Sequence, residues 1–122
     1  MTGDRVLADT NVLIYLIGGS ASAASALQGL SVHISFVTEI ELKSQRNLSS
    51  GDITGINELL GDLSINDINR PIKDMSAQLR REHGLKLADA IIAATAMHLN
   101  VPLLTADNGF QRLEKLMEIR ML

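Results

Sequence analysis

The sequence predicts a three-layer α/β/α domain built on a mostly parallel central sheet of about five strands. Short apolar runs of strand length recur along the chain, and amphipathic stretches with helical spacing lie between them. Each parallel connection needs a crossover, which a helix supplies, so this alternation implies a sheet covered on both faces. The 122 residues, 46% hydrophobic and 20% charged with a mean hydropathy of +0.16, suffice for one core and are too apolar for disorder. No repeat, low-complexity tract or proline-rich linker divides the chain, so residues 1–122 are expected to form a single domain.

The first strand is Val6-Leu7-Ala8, which stops at Asp9; an apolar helical stretch resumes at Val12 and runs to a turn at Gly18-Gly19. Val32–Val37, Leu63–Ile68, Val101–Thr105 and Met117–Met121 supply four more strands. Leu42–Leu48 has helical character, and Asp52–Leu60 presents Ile53, Ile56, Leu59 and Leu60 at helical spacing. Ile72–Glu82 carries Ile72, Met75 and Leu79 on one face and is closed by Gly84. Leu87–Leu99 is the most helical stretch, alanine-rich with Ala88, Ile91, Ile92, Ala96 and Leu99 on its apolar face. Pro71 and Pro102 fall where a helix or strand can start.

Several classes of function are excluded. A membrane span needs roughly 18 or more uninterrupted apolar residues, and Val12–Ile17 and Ala90–Ala96 are far shorter. The start mimics a signal peptide, with small residues from Gly18 to Ala24 after Val12–Ile17, but Asp9 and Asn11 break the apolar segment and Asp4 opposes Arg5. With no cysteine, no disulfide framework or thiolate zinc site can form, and the cytoplasm is the default compartment. The aromatics are Tyr15, Phe36 and Phe110, too few for a base-stacking platform. The net charge of -3 lacks the basic signature of nucleic-acid binding by electrostatics alone. Setting four acids aside in a metal site would leave 10 of the 14 against 11 bases, a nearly neutral remainder.

In open parallel sheets the ligand site gathers outside the carboxyl ends of the strands, which directs attention to polar residues just after each strand. Asp9, followed by Thr10 and Asn11, ends the first strand; alone it would serve equally as a helix N-cap. Thr38-Glu39-Ile40-Glu41 follows the second strand with the spacing of a capping box. Residues two apart on a helix point about 200° apart, so Glu39 and Glu41 cannot both face one site unless the segment is still extended, and Glu41, one turn in, is the inward choice. Asp89 lies within the most apolar stretch of the chain; its plainest structural role is a first-turn acid favoured by the helix dipole. Asp107 repeats the strand-then-acid pattern after Leu103-Leu104-Thr105-Ala106, and Asn108-Gly109 beside it is a turn signal. Four acids from separate segments that one sheet edge would gather are poorly explained as four independent caps. Carboxylates with no thiolate and no suitably paired histidine suit a hard cation, Mg²⁺ or Mn²⁺. His33, His83 and His98 lack the spacing of a zinc helix and read as structural. No phosphate-cradling glycine loop and no serine-hydrolase elbow occurs.

Four stretches together resemble the PIN domain, most closely the VapC-type ribonuclease toxins of bacterial toxin–antitoxin pairs. They are Leu7-Ala8-Asp9-Thr10-Asn11-Val12-Leu13-Ile14-Tyr15, Ile34-Ser35-Phe36-Val37-Thr38-Glu39-Ile40-Glu41-Leu42, Leu87-Ala88-Asp89-Ala90-Ile91-Ile92-Ala93-Ala94-Thr95-Ala96 and Leu104-Thr105-Ala106-Asp107-Asn108-Gly109-Phe110. The resemblance implies a metal-dependent endoribonuclease in which Asp9, Glu41, Asp89 and Asp107 hold Mg²⁺ or Mn²⁺, with Thr10, Asn11 and Thr105 around them. Asp9 and Asp89 are the expected direct ligands. Glu39 is an additional acid at the second position, and the Ser- and Ala-rich Gly18–Gly29 stretch departs from the charged helices common in the family. The resemblance also implies an RNA substrate, with transfer RNA the frequent target in the family, a homodimer and a cognate antitoxin occupying the active-site groove. Lys43, Arg46, Arg80, Arg81 and Lys86 are candidate RNA phosphate contacts. Two other readings compete: a receiver-like phosphoacceptor, which also has an aspartate after a strand but expects an acid pair there and a lysine after a late strand, where this chain offers only Lys115; and a PIN-like scaffold that binds without catalysis, against which all four acids are present.

Overall fold

The computed structural model describes residues 4–122. Its elements are β1 (Arg5–Ala8), α1 (Thr10–Ile17), α2 (Ala21–Leu27), β2 (Ser31–Ser35), α3 (Phe36–Lys43), α4 (Ser50–Gly61), β3 (Ser64–Asn66), α5 (Arg70–His83), α6 (Leu87–Leu99), β4 (Leu103–Thr105), a 3-10 helix (Asn108–Leu113) and β5 (Ile119–Met121). The five strands form one sheet in the order β3-β2-β1-β4-β5, and every pairing is parallel. The expected three-layer fold is borne out.

The alternation of side chains along the central strands divides the core in two. Leu7 of β1 and Leu103 of β4 face α5, α6 and the 3-10 helix, packing with Ile72, Leu79, Ile92 and Phe110. Their neighbours Val6, Ala8 and Leu104 face the other way, against Val12, Leu13, Leu42 and Ile56 of α1, α3 and α4. The apolar runs of β1 and β4 are therefore buried on both faces, as a covered parallel sheet requires. The outer strands β3 and β5 carry Ile65 and Met121 exposed, and each spans three residues, which shortens the unpaired edges.

Helix α6 matches its expected boundaries, and Gly84, at φ 67 in the left-handed region, caps α5 as anticipated. Three expectations are corrected. The second strand ends at Ser35, not Val37, because the Ser35 hydroxyl accepts from the Val37 N–H at 3.1 Å and opens α3 there. Phe36 and Val37, good strand formers, are thus helical. Leu42–Leu48 is not a helix of its own: α3 stops at Lys43, where the side chains of Ser44 and Gln45 donate to the carbonyls of Glu41 and Leu42, and Asn47 takes a φ of 64. The capping box is not Thr38–Glu41, which lies inside α3; it is Ser49–Asp52, where Asp52 accepts from the Ser49 N–H at 2.9 Å and Ser49 Oγ from the Asp52 N–H at 3.0 Å. A short helix, α2, also forms in the Ser- and Ala-rich stretch, capped by Ser20.

Candidate active site

The strand order reverses between β1 and β4, and their carboxyl ends flank this switch point. Asp9 follows β1 directly and caps α1: its Oδ1 accepts from the Thr10 N–H at 2.7 Å while its own N–H donates to the Leu104 carbonyl at 2.9 Å. Thr105, the last residue of β4 and fully buried, donates its hydroxyl to Asp9 Oδ2 at 2.8 Å and accepts the Asp107 N–H at 3.0 Å. Asp107 in turn caps the 3-10 helix by accepting from the Gly109 N–H at 2.8 Å. The structural roles anticipated for Asp9 and Asp107 are real, and they fix the carboxylates in place at the sheet edge.

Helix α3 brings Glu41 to the same place. The Thr10 hydroxyl contacts both Glu41 Oε1 and, at 3.0 Å, the Thr38 hydroxyl. One hydroxyl carries one proton, so with Glu41 ionised Thr10 donates to it and Thr38 donates to Thr10. Buried Thr38 thus supports the Glu41 contact from within α3 rather than capping the helix. Glu39 faces away, paired with Lys43 at 2.9 Å, and it does not line the pocket. Asp89 comes from the first turn of α6, whose N-cap, Lys86, makes no side-chain cap bond.

These four acids line one pocket of about 330 Å³ together with Thr10, Asn11, Ile14, Ser44 and Gln45. Burial pushes the Asp9 carboxyl above its ordinary range; the hydrogen bonds from Thr105 and Thr10 counter this, and the charges of Asp89 and Glu41 add to the rise. Asp89 is also raised, first by burial and then by Asp107 and Glu41, with Lys86 and Arg112 opposing. Among the described residues no three His, Asp or Glu side chains close up as a ready-made cage for an ion. The acids instead ring a shared space, an oxygen-only donor set that fits a hard cation retaining part of its water shell.

Of the five cations expected to meet RNA, Lys86 alone borders the acids. Lys43 is taken by Glu39, Arg80 Nε donates to the Leu85 carbonyl at 3.3 Å, and Arg46 and Arg81 line neither of the cavities that contain the acids. Sequence reasoning missed Ile14, which follows Asn11 by three residues on one face of α1, and Ser44 and Gln45, which lie just past the end of α3 where no helical spacing marks them. It also missed Arg112, which no local pattern marks. No histidine lines either cavity that contains the acids: His33 meets Asn66 at 3.3 Å, His98 meets Asn69 at 3.3 Å, and His83 lends its backbone carbonyl to Arg112. Lys115 does not line the pocket, which removes the residue a receiver-like reading needs.

Comparison with known proteins agrees with this architecture. No curated protein matches the chain. Among solved structures, a toxin–antitoxin complex from Klebsiella pneumoniae is 30% identical, covering 93% of this chain and 94% of that one with a TM-score of 0.80. VapBC-1 from nontypeable Haemophilus influenzae is 25% identical over 96% of this chain and 97% of that one, with a TM-score of 0.75. VapBC2 from Rickettsia felis, bound to a DNA fragment from its promoter, shares the fold at 18% identity, a TM-score of 0.81 and coverage of 97% and 98%. The PIN domain model matches residues 6–116, nearly the whole of the sheet and all the acids of the pocket, and the chain belongs to the PIN domain family.

Proposed function

We propose that this protein is a divalent-metal-dependent endoribonuclease, the toxin of a toxin–antitoxin pair, acting in the cytoplasm as a single PIN domain over residues 1–122. The observation that carries the reading is the meeting of Asp9, Glu41, Asp89 and Asp107, from four separate segments, around one pocket at the sheet's switch point. Its likeness to a toxin–antitoxin complex supports a cognate antitoxin as a partner, and a homodimer is part of the same proposal. No helix among the described residues is long and apolar enough to cross a membrane.

Asp9 and Asp89 are the direct ligands in this reading, and Glu41 and Asp107 complete the set, some through water. Mg²⁺ or Mn²⁺ bound there supplies a Lewis acid that acidifies a water and offsets charge on the phosphodiester. The chain's own part is orientation. Thr105 and the Thr10 N–H fix both oxygens of Asp9, and Thr10, backed by Thr38, aims Glu41. Asn11, exposed on the pocket wall, offers an amide to the RNA backbone.

The test is cleavage of a structured RNA by the purified protein. Cleavage with Mg²⁺ or Mn²⁺, its loss in excess EDTA, and its loss in Asp9→Asn and Asp89→Asn are expected. Cleavage that persists in EDTA would overturn the metal-dependent reading. Induced expression should arrest bacterial growth, and Asp89→Asn should relieve the arrest.

A further inference from the structure

Beside the carboxylate pocket lies a second cavity of about 250 Å³, lined by residues that include Lys86, Asp89, Asp107, Gly109 and Arg112. Asp89 and Asp107 belong to both cavities, so the two are lobes on either side of a shared acidic wall. The first lobe holds Asp9 and Glu41; the second holds the cations. We infer that the lobe bounded by Lys86 and Arg112 is a subsite for a phosphate of the RNA strand, next to the phosphate that is cleaved. This rests on the nuclease reading above and adds to it two residues that set where the strand lies.

Arg112 is held in place by its own side chain. Its Nε donates to the Gly109 carbonyl at 2.8 Å and its Nη1 to the His83 carbonyl at 2.9 Å. This clasp ties the end of α5 to the 3-10 helix and fixes a guanidinium beside the acids, with Nη2 left over from both bonds. Lys86 stands exposed at the start of α6, and its side chain makes no hydrogen bond among the described residues. Among the described residues neither cation is in an ion pair, whereas Lys43, Arg70 and Arg120 each have an acidic partner within 4.0 Å. Two cations that line one cavity without an acidic partner of their own among the described residues form a site for an anion.

Charge arithmetic makes the subsite conditional. Lys86 and Arg112 balance Asp89 and Asp107 as long as the acids are uncompensated. Once a divalent cation offsets the two acids the lobe is left net positive, so the phosphate should bind after the cation. The volume is several times the ~30 Å³ share of a water molecule, enough for a phosphate group. Gly109 lies at the lining of this lobe, where a Cβ would press on Asp107 Oδ1 at 3.1 Å and reach ordinary contact with Arg112 Nη2 at 3.8 Å.

The experiment is a binding measurement, by fluorescence anisotropy in Ca²⁺ buffer, with a short single-stranded RNA that the wild-type protein cleaves in Mg²⁺. Each linkage in turn is replaced by a neutral methylphosphonate. One linkage beside the cleaved bond should lose roughly tenfold in affinity when neutralised. Lys86→Gln should lose about as much on the unmodified RNA, nothing further at that linkage, and about 0.7 from its salt-dependence slope. Arg112→Lys keeps the charge but loses the clasp, and should weaken the same linkage only. Because the Lys86 side chain is exposed and unbonded, Lys86→Gln leaves the fold intact, and a melting curve checks this. Equal losses at every linkage, or identical profiles for wild type and Lys86→Gln, would overturn the subsite while leaving the nuclease reading standing. A wild-type protein that neither binds nor cleaves RNA overturns both.

Discussion

The hydroxyl of Thr105 donates to Asp9 Oδ2 at 2.8 Å across 96 residues of sequence, and the same hydroxyl oxygen accepts the Asp107 N–H at 3.0 Å. One buried side chain thus joins the carboxyl ends of β1 and β4 and orients two acids at once. Thr105→Val keeps the shape, leaves the buried Asp9 Oδ2 without its hydroxyl donor and takes the acceptor from the Asp107 N–H. Leaving a buried polar group unpaired costs about 1–3 kcal/mol, and losing an orienting contact to a ligand costs roughly 10–100-fold in activity or metal affinity. Thermal melts and Mn²⁺ titration of Thr105→Val should show both losses, whereas Thr105→Ser should retain most of each.

The raised carboxyls of Asp9 and Asp89 set the sign of the pH dependence. A carboxyl whose folded pKa lies above its ordinary 3.8 holds its proton more readily folded than unfolded, so stability falls as pH rises from 3.8 through the raised value and the deficit is complete above it. The metal-free protein should therefore gain stability from these two groups as pH drops from neutrality into that window. Asp9→Asn should flatten this part of the profile in melts taken across pH. Adding Mg²⁺ should raise the melting temperature most at the upper end, where the acids are ionised.

Glu39 and Glu41 provide a matched comparison within α3. Glu41→Gln should lower cleavage by roughly a hundredfold, since it removes a ring carboxylate that Thr10 orients. Glu39→Gln removes only the exposed pair with Lys43, an interaction that contributes about 0.2–1 kcal/mol, and activity should be unchanged. Equal losses in the two variants would show that Glu41 has no special place in the chemistry.

Asp89→Asn separates stability from activity. Burial and two neighbouring acids disfavour the charge of Asp89 in the metal-free protein, so the neutral amide should leave the melting temperature equal or higher at pH 7 while cleavage is lost. A variant that is both inactive and destabilised would point to a structural role for this carboxylate.

Gly84 occupies the left-handed region at φ 67, and a Cβ added there would meet nothing within 4 Å. Gly84→Ala should cost about 1 kcal/mol from backbone strain alone, measured by denaturant unfolding, and leave the carboxylate pocket unchanged.

Composition and periodicity determined much of this molecule without reference to its coordinates. Alternating apolar runs and amphipathic stretches suffice for the layered fold, because a strand buried on both faces needs continuous apolar residues and each parallel crossover needs a helix. The positions of Asp9 and Asp107 directly after strands were legible for the same reason: the carboxyl edge of a parallel sheet gathers the residues just past each strand end. The two-residue spacing of Glu39 and Glu41 made one of them face away only if the segment is helical, and the structure decided that by opening α3 at Phe36. The start of α3 was not legible, since the Ser35 hydroxyl outweighed the strand preference of Phe36 and Val37, nor was the end of that helix, where Ser44 and Gln45 fold back on its last carbonyls. What only the tertiary structure decided was which groups meet across long sequence separations. Thr105 reaches Asp9, Thr10 reaches Glu41 and Thr38, and Arg112 reaches His83. Such contacts depend on how the helices lie against the sheet, and no local spacing encodes that distance.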